Sequence, residues 1–187
     1  MRYAAAAPSL LSALRLALTP ATAHAILTGA HGRALTLFAV AAFTDGLDGW
    51  IARRFRLTTR FGAVLDPIAD KILLSTIYIC LGFAGEVPLW LVGIVFGRDV
   101  FIVLLAVVGL TATTIRDFPP SVWGKLSTLL QVATAVAVLA EKTGEFGWLG
   151  GAFPWLFLLV GAAAFWSAGH YLVAGYRRAI GTGGRTG

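Results

Sequence analysis

The sequence predicts an all-α integral membrane protein in which six transmembrane helices form one bundle. Of its 187 residues, 58% are hydrophobic and only 13% are charged, whereas soluble domains average about 25% charged residues. Six apolar stretches are each long enough to cross a hydrocarbon core of about 30 Å, which takes roughly 20 helical residues. The short links between them leave room for one domain over residues 1–187 and for no soluble domain. The single cysteine, Cys80, excludes a disulfide-stabilised scaffold.

Each predicted span is a run of apolar residues between polar or turn-forming residues. The spans are predicted at about 9–29, 34–55, 62–85, 88–111, 121–140 and 153–175. The first link contains a glycine, the second is cationic and the third is acidic. The fourth link ends in two prolines, and the fifth is rich in glycine. The corresponding links are Ala30–Arg33, Arg56–Phe61, Glu86–Val87, Ala112–Pro120 and Glu141–Ala152.

The distribution of lysine and arginine predicts that both termini lie in the cytoplasm. With the N-terminus inside, ten cations fall on the inner side and two, Arg33 and Lys142, on the outer side, and cytoplasmic loops carry the excess of Lys and Arg. Orientation and contact with anionic membrane lipids account for this positive charge, so no nucleic-acid partner is expected. The ten are Arg2, Arg53, Arg54, Arg56, Arg60, Arg116, Lys125, Arg177, Arg178 and Arg185.

Carboxylates inside the predicted spans are the strongest indication of function. Five of the nine acidic residues fall there, and four of them form two pairs, Asp45-x-x-Asp48 and Asp66-x-x-x-Asp70. An ionised carboxylate at the centre of a membrane helix costs roughly 2.5–3.5 kcal/mol, so such residues are functional candidates. Spacings of three and four residues put the members of each pair on one helical face.

The two aspartate pairs are predicted to share one depth below the cytoplasmic surface. At a rise of about 1.5 Å per residue, the first pair lies roughly 8–12 Å and the second roughly 6–12 Å from the inner end of its helix. Four facing carboxylates cannot all stay ionised without cations between them. Oxygen ligands without His or Cys select Mg²⁺, Mn²⁺ or Ca²⁺. The pattern therefore predicts a site for two divalent cations.

Small residues and an arginine stand between the aspartate pairs. Gly49, Ala52 and Gly62 would let a ligand approach the backbone closely, although small residues alone also serve helix packing. The guanidinium fork of Arg53 suits phosphate oxygens. Together with the predicted cations, these residues indicate a pyrophosphate-binding site.

The complete motif resembles the signature of the CDP-alcohol phosphatidyltransferases. It reads Asp45-Gly-Leu-Asp48-Gly49-Trp-Ile-Ala52-Arg53, then eight residues, then Gly62-Ala-Val-Leu-Asp66-Pro-Ile-Ala-Asp70, and all eight fixed positions match. The six-span plan is similar as well. The resemblance implies a membrane enzyme that transfers a phosphatidyl group from CDP-diacylglycerol to a glycerol-type hydroxyl and releases CMP. It further implies a homodimer in the inner membrane of a bacterium, with the active site facing the cytoplasm.

The same resemblance implies a role for each motif residue. The four aspartates would hold two Mg²⁺ or Mn²⁺ ions, and Asp70 would also be the general base on the acceptor hydroxyl. The residues that would contact the CDP moiety are Asp45, Gly49, Ala52, Arg53 and Gly62.

Features outside the motif bear on the acceptor alcohol. The segment from Pro8 to Arg15 is similar to the glycerol-type branch of the family, although Ser9 stands where that branch usually has Asn. Arg98-Asp99 resembles the CMP-forming cardiolipin synthases, and position 127 lacks the second lysine that phosphatidylglycerophosphate synthases tend to have. Both features favour phosphatidylglycerol as acceptor, with Arg98 and Lys125 as acceptor-binding residues. Glycerol 3-phosphate is the alternative, and the chain length favours it.

Several of these residues also have structural interpretations. Arg98 and Asp99 could be a buried pair that holds the fourth helix, Lys125 could be an inner-face anchor, and Arg15 could extend its head group to the interface. Lys71 could neutralise the aspartates or contact a lipid headgroup. His170 is expected to be a hydrogen-bonded packing residue.

Two other functional classes deserve comparison. A cation channel or carrier would spread its acids along the membrane normal, whereas these acids cluster at one depth. A membrane prenyltransferase would need an acid where this chain has Ala52, and about nine spans. Both are less favoured than the transferase.

Overall fold

A computed structural model describes the backbone of residues 7–55, 60–112, 122–144 and 146–183, and the side chains of residues 13–44, 69–105, 122–144 and 146–173. Within these ranges the chain is helical and has no strand, which confirms the all-α class. One helix occupies each predicted span. The helices are α1 (Ala7–Leu27), α2 (His31–Phe55), α3 (Arg60–Phe83), α4 (Leu89–Ala112), α5 (Val122–Glu141) and α6 (Phe153–Gly183), with a short 3₁₀ helix at Gly147–Ala152.

The helix ends differ from the prediction by more than two residues at two places. α2 begins at His31, inside the link predicted at Ala30–Arg33, and α6 continues beyond the predicted end at 175 to Gly183. The α1–α2 turn is short because Gly29 adopts a φ of +73°, while the N–H of Ala30 donates to the carbonyl of Ala25 at 2.8 Å. This glycine cap satisfies the last carbonyls of the helix and stops it. Gly85, with a φ of +76°, ends α3 in the same way.

Residue contacts divide the chain into two compact units. The first comprises Met1–Val87 and Ala135–Gly151. In it, α1 packs against both α2 and α3. Large apolar side chains that are fully buried in this unit include Ile26, Phe38, Ile77, Tyr78 and Leu81. The helix carrying the first aspartate pair and the helix carrying the second are therefore both anchored on α1.

The second unit comprises Pro88–Thr134 and Ala152–Gly187. In it, α4 packs against α6, and a small residue allows the close approach, because a Cβ at Gly161 would lie 3.1 Å from the Trp90 ring. α5 meets α6 through an edge-to-face contact of Trp123 with Trp166, whose ring centroids are 6.0 Å apart.

Two segments in the described part of the chain are long and apolar enough to cross a membrane, Val122–Glu141 and Gly147–Val173. Large apolar side chains such as Trp155 and Phe165 are exposed along α6, and contiguous exposed apolar surface fits contact with lipid or another apolar partner. Both observations agree with a membrane protein. The crossing of a bilayer by all six helices, the cytoplasmic termini and the single-domain organisation stay predictions.

Candidate active site

The backbone places the two predicted aspartate pairs on α2 and α3. Asp45 and Asp48 lie in the C-terminal half of α2, while Asp66 and Asp70 lie in the first half of α3. Helical backbone at these positions keeps the members of each pair on one face. The side chain of Asp70 is described, whereas the other predicted metal and CDP ligands lie outside the described side chains. Those ligands are Asp45, Asp48, Gly49, Ala52, Arg53, Gly62 and Asp66.

Asp70 forms an ion pair with an arginine from another helix. Nη1 of Arg15, on α1, donates to Oδ1 of Asp70. The Arg15 side chain is only 2% exposed, whereas that of Asp70 is 45% exposed. A buried guanidinium is stable only when it is paired and hydrogen-bonded. One oxygen of the predicted general base is therefore bonded by a cation buried in the helix packing, while the carboxyl group stays accessible.

The interpretation of Arg15 as a cation that extends to the membrane interface is wrong, because its guanidinium is buried and paired. The sequence did contain a signal for this role. An arginine inside an apolar helix is costly unless it finds a partner, and intramembrane aspartates are the natural partners. Lys71, which follows Asp70 in α3, is partly exposed. This exposure is compatible both with neutralising the aspartates and with contacting a lipid headgroup.

Arg98 belongs to a buried polar cluster in the second unit. Its Nη1 donates to Oδ1 of Asp99 at 2.6 Å, and its Nη2 donates to the Gly124 carbonyl at 3.2 Å and to Oγ of Ser167 at 3.1 Å. Arg98 and Asp99 are each only 7% exposed. The guanidinium thus joins α4 to α5 and α6, which supports the structural interpretation of this pair.

Lys125 follows Gly124 in the first turn of α5, and its side chain is exposed. Gly124 is tightly packed, since a Cβ there would lie 3.0 Å from Oη of Tyr171 and 3.5 Å from Nη2 of Arg98. The cluster that Arg98 organises therefore fixes the backbone next to Lys125. Of the two predicted acceptor-binding residues, Lys125 is the one with an accessible charge.

A buried serine occupies position 127, where phosphatidylglycerophosphate synthases tend to have a second lysine. Ser127 is 1% exposed, and its Oγ accepts a hydrogen bond from Nε2 of Gln131 at 3.3 Å. Sequence reasoning did not predict this bond, although the i,i+4 spacing allows it. His170, expected as a packing residue, is exposed instead.

The donor set of the aspartate motif fits divalent cations. Four carboxylates without His or Cys are the hard oxygen ligands that Mg²⁺ and Mn²⁺ prefer, and the accessible side chain of Asp70 could reach such an ion. Among the side chains that are described, no three His, Cys, Asp or Glu residues come together; three of the four predicted ligands lie outside that set.

A family model matches most of the chain. The model of the CDP-alcohol phosphatidyltransferases aligns with residues 5–167, a region that includes both aspartate pairs, Arg15, Arg98 and Lys125. The chain belongs to the CDP-alcohol phosphatidyltransferase family. This membership confirms the resemblance found in the motif, and it argues against the channel and prenyltransferase classes.

Curated members of this family carry two different names. A "Probable cardiolipin synthase (CMP-forming)" of Drosophila melanogaster is 42% identical over 96 residues, 51% of this chain and 30% of that protein. A "Probable phosphatidylglycerophosphate synthase" of Mycobacterium tuberculosis (strain CDC 1551 / Oshkosh) is 35% identical over 139 residues, covering 70% of this chain and 65% of that protein. The chain thus spans less than two thirds of either relative.

A third relative is matched over more of its length. The "Cardiolipin synthase (CMP-forming)" of Streptomyces coelicolor is 31% identical over 183 residues, which cover 92% of this chain and 83% of that protein. The names of the relatives therefore divide between two kinds of enzyme, cardiolipin synthase and phosphatidylglycerophosphate synthase.

Proposed function

We propose that the chain transfers a phosphatidyl group from CDP-diacylglycerol to the hydroxyl group of a glycerol-type acceptor and releases CMP. The observation that carries this proposal is the complete aspartate motif on α2 and α3, in a chain that belongs to the CDP-alcohol phosphatidyltransferase family. The accessible carboxyl group of Asp70, bonded by Arg15, supports the motif as a site of chemistry.

Different residues of the motif would bind the cations and the CDP moiety of the donor substrate. Asp45, Asp48, Asp66 and Asp70 would hold two Mg²⁺ or Mn²⁺ ions. When bound, these ions would offset the negative charge of the pyrophosphate and stabilise CMP as the leaving group. Small residues would let the CDP moiety approach the backbone closely, and the guanidinium of Arg53 would pair with its phosphates. The residues of this CDP site are Asp45, Gly49, Ala52, Arg53 and Gly62.

Asp70 would be the general base of the transfer. The acceptor hydroxyl oxygen forms a bond to the phosphorus that carries the diacylglycerol, and the bond from that phosphorus to the CMP oxygen breaks. The hydroxyl proton passes to the Asp70 carboxylate. A general base must come within hydrogen-bond reach of the proton it takes, and the 45% exposure of the Asp70 side chain is compatible with that approach.

Phosphatidylglycerol is the proposed acceptor, which would make the product cardiolipin. Position 127 holds the buried Ser127 and not a second lysine beside the exposed Lys125, which favours an acceptor without a separate phosphate monoester. The match to the Streptomyces coelicolor protein over most of both chains supports the same acceptor. Glycerol 3-phosphate is the second candidate, supported by the Mycobacterium tuberculosis relative. Lys125 would contact the acceptor, with Arg98 beside it.

The proposed setting is the cytoplasmic membrane of a bacterium. All six helices would cross the bilayer, both termini and the active site would face the cytoplasm, and two copies would form a homodimer. The predicted excess of cations on the inner side supports the orientation. The lipid tails of substrate and product would then stay in the bilayer while CMP leaves into the cytosol.

A parallel acceptor assay tests the function. Radiolabelled CDP-diacylglycerol and Mn²⁺ are given to the purified protein with phosphatidylglycerol, glycerol 3-phosphate or inositol phosphate. We expect CMP release and labelled cardiolipin with phosphatidylglycerol. Product with glycerol 3-phosphate alone would replace the proposed acceptor by the second candidate. No release with any acceptor, together with cation flux in vesicles, would refute the transferase.

A further inference from the structure

We propose that Arg15 is a positioning residue for the general base, an inference that rests on the proposed function. Arg15 holds Oδ1 of Asp70 and thereby fixes the rotamer in which the carboxyl group meets the acceptor hydroxyl. Arg15 itself touches neither substrate nor cation in this proposal. Its effect on the reaction passes through Asp70, whose carboxyl oxygen it bonds.

The burial of the two partners is unequal, and this inequality suits a positioning role. Arg15 is 2% exposed, while Asp70 is 45% exposed. The donor is therefore held immobile by the packing of α1, and the acceptor projects from that fixed point to a place that a substrate can reach. Since ion pairs with exposed partners contribute only about 0–1 kcal/mol, a gain in stability alone does not account for the exposed carboxyl group.

The chemistry of arginine also suits this role. A guanidinium stays charged at any pH that the protein meets and has donors but no acceptor. Arg15 can therefore neither take the proton from the acceptor hydroxyl nor bind a cation. It can donate N–H groups in a planar arrangement, which fixes direction as well as distance. A lysine at the same place would keep the charge and lose the planar arrangement.

Steady-state kinetics of Arg15→Gln and Arg15→Lys test the inference. Misplacing a reacting group by about 1 Å can cost roughly 100-fold in rate, so we expect kcat per folded protein to fall roughly 10- to 100-fold in Arg15→Gln. The KM for CDP-diacylglycerol should change less than about 3-fold. Arg15→Lys should recover part of kcat, because its ammonium group can donate to the same oxygen. Arg33→Gln, which removes an exposed cation of α2, is the matched control and should leave kcat unchanged.

Mn²⁺ binding, followed by electron paramagnetic resonance, provides a readout that is independent of turnover. Because Asp70 is only one of the four proposed metal ligands, we expect Arg15→Gln to bind Mn²⁺ within about 3-fold of the wild-type affinity while kcat falls at least 10-fold. Mn²⁺ affinity that falls in parallel with kcat would overturn the positioning role and assign Arg15 to the integrity of the metal site. A kcat within 2-fold of wild type would overturn it as well. A wild-type protein that releases no CMP would instead refute the proposed function.

Discussion

Replacing Arg98 by Met removes the guanidinium that joins α4 to α5 and α6. The substitution deletes the ion pair to Asp99 at 2.6 Å and the hydrogen bonds to Gly124 and Ser167 at 3.2 and 3.1 Å. Both charged partners are 7% exposed. Removing one partner of a buried ion pair typically costs about 3–5 kcal/mol, because the other charge remains buried. Since neighbouring interactions do not add independently, this range is the expected total loss of unfolding free energy.

The measurement is denaturant unfolding of the detergent-solubilised protein, followed by tryptophan fluorescence. Trp123 and Trp166 pack against each other in the same unit and would report the loss of its structure. Arg33→Met is the matched control, because Arg33 is exposed and such substitutions usually change stability by less than about 0.5 kcal/mol.

A double variant separates the buried charge from the lost side-chain volume. Arg98→Met with Asp99→Leu leaves neither charge of the pair in the cluster, so it should recover part of the stability lost in the single variant. A single-variant loss below about 1 kcal/mol, or a loss equal to that of Arg33→Met, would refute the assignment of Arg98 as a stabilising link between the three helices.

The remaining predictions concern the reaction. Asp66→Asn should abolish CMP release and weaken Mn²⁺ binding in a titration, and retained activity would contradict its role as a metal ligand. Asp70→Asn should lower kcat more than the affinity for CDP-diacylglycerol, measured by equilibrium binding; equal losses would argue against a separate role as base. Lys125→Gln should raise the KM for the acceptor severalfold without lowering the thermal midpoint, whereas an unchanged KM would remove Lys125 from the acceptor site. Chelation with EDTA should stop CMP release, and Mn²⁺ should restore it; activity that survives chelation would exclude the proposed cations.

The positions of the helices could be predicted because apolar runs and turn residues are local features. The first span, for example, is predicted to end near residue 29, and α1 ends at Leu27 because Gly29 turns the backbone. The length of α6 could not be read from hydrophobicity, because the helix continues past its apolar part into the segment that contains Arg177 and Arg178. Basic residues near a helix C-terminus are compatible with helical structure, so the end of a span and the end of a helix need not coincide.

The aspartate motif could be predicted as a candidate site because its spacing is regular and intramembrane charges are rare. The partner of Asp70 could not, since Arg15 is 55 positions away and the pairing depends on how α1 packs against α3. Arg98 shows the same limit. Its pairing with Asp99 could be proposed from their opposite charges, but its bonds to Gly124 and Ser167 depend on the packing of three helices.

The burial of Ser127 has a consequence for how acceptor choice could change during evolution or engineering. Ser127 is 1% exposed and bonded to Gln131, so a lysine introduced there would carry its ammonium group into the packed interior. A buried cation without a partner is neutralised or distorts its surroundings, so a lysine at this position would need both space and a partner for its ammonium group. Conversion of this chain to a second acceptor through this position would therefore require compensating substitutions around Ser127. A library of single substitutions at this position should yield no variant with exchanged specificity.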